Sequence, residues 1–176
     1  IVTRRASPDE KEVIADSLRL QARSMVVARD GISVVLPPDS PDTLLTMKDI
    51  REILTGKFKK NLIPVFDGVK ATSTVRFIID SVLNGDSLTP KAMAARSSEG
   101  VIDYISKNSD VIGFIGVSWI GNREDSSYLS FSKKVRVAYL QATDMPDSYV
   151  KAYQANIYLK RYPMVRDLVY ILKENH

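Results

Sequence analysis

Apolar residues recur along this chain at two spacings, and the change from one to the other outlines its elements. Ser7-Pro8-Asp9-Glu10 sets a hydroxyl, a proline at the first helical position and a glutamate two residues on, which is a capping box at a helix mouth. Val13, Ile14 and Leu18 follow as that helix's apolar stripe. Residues 25–28 and 32–36 read as two strands divided by Asp30-Gly31 and closed by Pro37-Pro38. A second helix is predicted over 47–55, with Thr46 and Asp49 as its cap pair, Ile50, Ile53 and Leu54 buried, and Gly56 just past its end. Residues 62–66 form a short apolar strand, and a polar loop over 67–71 leads to Thr72-Ser73-Thr74. Val75, Ile78, Ile79 and Val82 then fall at helical spacing up to Gly85. Residues 98–108 form a further helix with Val101, Ile102 and Ile105 on one side. Strands are expected over 111–117, 134–141 and 168–172. Strands alternating with helices of this kind predict an α/β fold with a largely parallel sheet.

Composition narrows the chemistry. The chain has 176 residues, 44% hydrophobic and 26% charged, which is ordinary for a folded domain. Its apolar runs fall far short of the ~20 residues that cross a bilayer. With no cysteine there is no disulfide and no thiolate zinc site, and the redox compartment stays open. The one histidine is the last residue, His176, so a Ser-His-Asp triad or a histidine metal cluster is excluded. No cofactor or metal is expected. The net charge of +4 is too small for a nucleic-acid stripe, and the densest basic run, Lys57-Phe58-Lys59-Lys60, reads as a solvated loop. A chain that opens on Ile1, with no signal-type segment ahead of it, reads as a processed or excised piece.

The strongest candidate for binding chemistry is Thr72-Ser73-Thr74. A helix N-terminus carries free N–H groups and about half a positive charge, and it attracts anions. Three consecutive hydroxyls exceed what a cap requires, although capping alone explains one of them. Arg76, two residues inside, either turns back to an anion or points to water. Thr3 and Arg4 repeat the layout of strand end, polar turn and helix start, and are a second candidate contact. The carboxylates show neither a dyad nor calcium-loop spacing. Trp119 follows an apolar strand and either stacks on a ligand or packs at the core edge.

Five segments, in order, resemble the phosphate ABC transporter substrate-binding family within the type II periplasmic binding proteins. Asp30-Gly31-Ile32-Ser33-Val34-Val35-Leu36 is similar to its crossing strand. Leu45-Thr46 through Ile53-Leu54-Thr55-Gly56-Lys57 resembles its "L-T…I-F-x-G" helix. Thr72-Ser73-Thr74 stands where the family has Ser-Gly-Thr. Val111-Ile112-Gly113-Phe114-Ile115-Gly116 and Tyr162-Pro163-Met164-Val165-Arg166 are similar to a later strand and to the return segment. The Thr-Ser-Thr-Val-Arg and Gly-Phe-Ile-Gly-Val-Ser-Trp forms look most like Bacteroidetes members.

The resemblance implies a type II periplasmic-binding-protein fold of two α/β lobes, with lobe one only partly present. Residues 1–28 would end the first half of lobe one, 29–153 would form lobe two, and 154–176 would return to lobe one. It implies an extracytoplasmic protein, periplasmic or at the cell surface, that binds inorganic phosphate or a similar oxyanion between its lobes. It would hand that ligand to an ABC transporter permease, touching the membrane only through a lipid anchor outside this chain. Thr72, Ser73, Thr74, Arg76, Thr3 and Arg4 become the implied ligand contacts. The family's arginine and aspartate upstream of Ser-Gly-Thr are replaced by Gly68 and Lys70, so neither is kept. That departure motivates an alternative, a non-transport effector-binding or partner-binding module with a different anionic ligand. An enzyme is not expected.

Overall fold

The computed structural model describes residues 5–18, 20–68, 72–120 and 133–175. The chain divides into two compact units, one of residues 1–30 with 165–176 and one of residues 31–164. In the smaller unit, helix α1 (Pro8–Leu18) opens on the expected capping box. The Glu10 N–H donates to Ser7 Oγ at 3.2 Å, and the Ser7 N–H donates to Glu10 Oε2 at 2.9 Å. Val13, expected on the buried stripe, is 59% exposed. Strand β1 (Leu20–Leu36) pairs with β9 (Val165–Asn175), and Arg166 Nε donates to Asp30 Oδ2 at 2.9 Å between them.

β1 corrects one expectation: the chain does not turn at Asp30-Gly31 but runs through as one strand. The glycine serves close approach instead. A Cβ on Gly31 would lie 3.1 Å from Ile157 Cδ1, and the next N–H, of Ile32, donates to Met164 O at 2.9 Å.

The larger unit is built on a sheet in the order β4 (Met93–Ala94), β3 (Ile63–Phe66), β5 (Val111–Gly116), β1, β6 (Arg136–Val137). β4, β3 and β5 run parallel, whereas β1 is antiparallel to both β5 and β6. The sheet is therefore mixed rather than largely parallel. The strand expected over 134–141 is interrupted at Ala138, whose N–H goes to Val34 O. Beyond it, β7 (Tyr139–Gln141) joins a second sheet with β2 (Leu44–Leu45) and β8 (Tyr149–Val150).

Helix α2 (Met47–Thr55) forms as predicted, with a reciprocal Thr46–Asp49 cap and Gly56 at φ 76°. Helix α3 (Ser73–Phe77) continues as a π-helical segment (Ile78–Leu83), closed by Asn84 and Gly85 at positive φ. Helix α4 (Ser98–Lys107) lays Val101 and Ile105 on the sheet. It reaches Gly113 so closely that a Cβ there would meet Val35, Val101 and Ile105 at 2.6, 2.8 and 3.0 Å. Helix α5 (Gln154–Tyr158) is too short for its periodicity to be read.

Tyr162 is 1% exposed, and its hydroxyl donates to Ile32 O at 2.8 Å. Burial raises the phenol's pKa above its ordinary value, against a smaller lowering by the Val34 backbone. The unfolded phenol ionises near pH ~10 and the folded one only above that, so alkali favours unfolding. This contribution is complete below about pH 10 and is lost as pH rises beyond it. Tyr162→Phe is expected to cost about 1 kcal/mol at neutral pH, by urea unfolding, and to flatten the alkaline loss of stability. An unchanged alkaline slope would contradict this.

Candidate functional site

The carboxyl end of β3 leads into Asp67 and, beyond it, the hydroxyls that open α3. In α/β sheets ligands bind at such ends, because helices returning from parallel strands begin there and present unpaired N–H groups. Thr72 caps α3: its backbone is extended, and its Oγ1 accepts the Val75 N–H at 3.3 Å. Among the described residues, this leaves the N–H groups of Ser73 and Thr74 without acceptors at the helix mouth.

Thr72 and Ser73 are half-buried, Thr74 is only 2% exposed, and Arg76 is exposed on the next turn. The chain thus brings Thr72, Ser73 and Thr74 together at one helix start, while Arg76 faces solvent. Thr3, Arg4 and Lys70 lie outside the described residues.

Gly68 explains why no side chain stands at the position where the resemblance expects an arginine. Its φ is +136°, and a Cβ would fall 2.5 Å from Thr72 Cγ2. The cap hydroxyl and the glycine are fitted to each other, since a side chain at 68 would push Thr72 off its bond to Val75.

Two residues that the sequence reading passed over join this group. Asp67 directly follows β3, and its Oδ2 accepts the Ser98 hydroxyl at 3.0 Å. Ser98 is 5% exposed and is the first residue of α4, behind Ser97, whose Oγ accepts the Gly100 N–H. The signal was present as a carboxylate at a strand end and a pair of serines at a helix start, but nothing in the sequence linked positions 31 residues apart. Asp67 Oδ1 is buried with no donor among the described residues, and so is Ser33 Oγ. Both sit on the α4 side of the sheet. Asp67 is tied there by Ser98, and Ser33 is two residues from Val35, which packs on Val101 and Ile105.

A cavity of about 660 Å³ lies at the opposite end of the sheet, lined by Leu36, Phe58, Leu62 and Asp110. It contains none of these residues.

A model of the PBP superfamily domain matches residues 1–176. The chain belongs to this superfamily. No curated protein matches it. Solved structures share its fold, that of the type II periplasmic binding proteins. An ABC-type phosphate transport receptor from Vibrio cholerae aligns at TM-score 0.69 and 17% identity, over 97% of this chain and 64% of that one. PstS from Borrelia burgdorferi aligns at TM-score 0.68 and 17% identity, over 96% and 64%. The regulatory domain of MetR, a LysR family regulator from N. meningitidis, aligns at 0.51 and 9%, over 86% and 56%. This PBP-superfamily chain therefore spans less than two thirds of the length of each.

Gly68→Ala is expected to lower stability by about 1 kcal/mol or more in a denaturant titration, through positive φ and displacement of Thr72. A stability equal to the parent's would show that Thr72 yields freely.

Proposed function

We propose that this chain is the ligand-binding portion of an extracytoplasmic solute-binding protein that takes phosphate or a related oxyanion and delivers it to an ABC importer. The observation that carries the reading is the helix mouth at Thr72-Ser73-Thr74, with two N–H donors unpaired among the described residues beside hydroxyl groups. An anion entering there exchanges its hydration shell for fixed donors and the positive end of the helix dipole. No bond is made or broken, so the activity is binding and release rather than catalysis.

The likeness in fold to a phosphate transport receptor and to PstS supports the same reading. The larger unit, residues 31–164, acts as lobe two, and residues 1–30 with 165–176 belong to lobe one. The protein works in the periplasm or at the cell surface, its partner is the transporter permease, and it has no nucleic-acid role. The fold shared with the MetR regulatory domain supports a second reading, in which the module binds an anionic effector without transport.

Isothermal titration tests the proposal. Inorganic phosphate should bind, and Thr72→Ala and Thr74→Ala should each weaken it by about tenfold or more. Phosphate that protects against heat no better than sodium chloride would overturn it. Organic phosphates and carboxylates would then be the ligands to screen.

A further inference from the structure

Asn84 and Gly85 close the π-helical segment Ile78–Leu83, and they form the one Asn-Gly pair in the chain. Both sit at positive φ, 49° and 100°, and both are exposed. A Cβ built on Gly85 would meet nothing within 4 Å, so no neighbour crowds its backbone. The other asparagines whose side chains the structure describes are tied down. Asn61 Oδ1 accepts from Lys91 Nζ at 2.7 Å, Asn108 Nδ2 donates to Tyr104 O at 2.7 Å, and Asn156 Nδ2 donates to Lys151 O at 3.0 Å. The side-chain amide of Asn84 makes no hydrogen bond among the described residues. An asparagine side chain cyclises when the next residue's backbone nitrogen reaches its Cγ. A side chain on that next residue obstructs the approach, and a hydrogen bond on the amide holds Cγ away. Neither restraint acts at Asn84. Rotation about its Cα–C bond brings the Gly85 nitrogen to Cγ, which glycine's conformational freedom makes easy. The bond that this rotation has to break is the one spanning the pair, from the Asp86 N–H to Leu83 O at 3.1 Å.

We propose that Asn84 is a site of spontaneous deamidation, at which the folded chain changes its own charge with age. The bond from the Gly85 nitrogen to Cγ forms and the Cγ–Nδ2 bond breaks. The proton lost by the Gly85 nitrogen leaves with the amide as ammonia, and a five-membered succinimide remains. Water then opens either carbonyl of that ring, giving aspartate or isoaspartate at position 84. Water is the one co-reactant, and nothing is oxidised or reduced. Each event takes one unit from the net charge of +4. The new carboxylate stands at the carbonyl end of a helical segment, where negative charge is unfavourable. Isoaspartate also adds a carbon to the main chain inside the turn that the Asp86–Leu83 bond closes. Deamidation therefore loosens the end of the segment that α3 begins, whatever ligand the protein binds.

Incubation of the chain in mildly alkaline buffer, folded in one arm and unfolded in urea in the other, decides it. Peptide mass spectrometry follows the exchange of NH₂ for OH at each asparagine. In the folded arm Asn84 should convert within about tenfold of its unfolded rate, because turns at the ends of elements open readily. Asn108, which precedes Ser109, should be slowed by folding much more than Asn84. Asn84→Gln should abolish the acidic species that ion exchange separates. That species should melt about 1–3 °C below the parent. An Asn84 that stays intact in the folded arm while it converts in urea overturns the proposal. So does a folded chain in which Asn61, Asn108 or Asn156 converts ahead of Asn84. An acidic species that melts no lower than the parent overturns the loosening of the segment.

Discussion

The close approach of α4 to the sheet at Gly113 holds the larger unit together. With no side chain at that position, Val35 from β1 and Val101 and Ile105 from α4 converge on one point of β5. Any Cβ there would force them apart, and a packed interior transmits such a shift instead of absorbing it. That contact sets the height of α4 above the strands. The height of α4 in turn decides whether Ser98 can reach Asp67, two residues past Val65, another member of the same cluster. An apolar contact in the middle of the sheet thus fixes a polar one at its end.

The carboxyl end of β3 is assembled on a different principle from the core beneath it. The core follows the ordinary packing rules at most positions, with apolar side chains inward and stacked Phe66 and Phe114 rings 5.2 Å apart. At the strand end the rules are broken together. Among the described residues, a glycine sits at φ +136°, a carboxylate oxygen is buried without a donor, and a helix start leaves N–H groups unpaired. Each is unfavourable in isolation, and such departures from local consistency concentrate where a fold has been kept for binding.

The smaller unit depends on strand-to-strand chemistry. Asp30 and Arg166 lie on β1 and β9, and their ion pair joins segments far apart in sequence. Arg29 and Asp167 repeat the pairing with the charges exchanged between strands, at 3.6 Å. Alternating charges of this kind oppose a one-residue slip, which would bring like charges together.

Much of this was legible from sequence because it is local. The cap pairs Ser7–Glu10 and Thr46–Asp49, the left-handed Gly56, the apolar strand now seen as β5 and the hydroxyls opening α3 are all set within a few residues, where propensity and hydrogen bonding suffice. Tertiary structure decided what depends on distant partners. Asp30-Gly31 reads as a turn, yet it extends as a strand because Met164 supplies the bond for Ile32. Residues 134–141 alternate like one strand, yet they change sheets at Ala138 because Val34 and Thr43 claim successive N–H groups. Asp67 looks like an ordinary loop residue until α4 brings Ser98 to it from 31 positions away. Sequence carries the preferences of neighbours along the chain. Which buried groups find partners, and which are left waiting for one, is settled only when the sheet and its helices close.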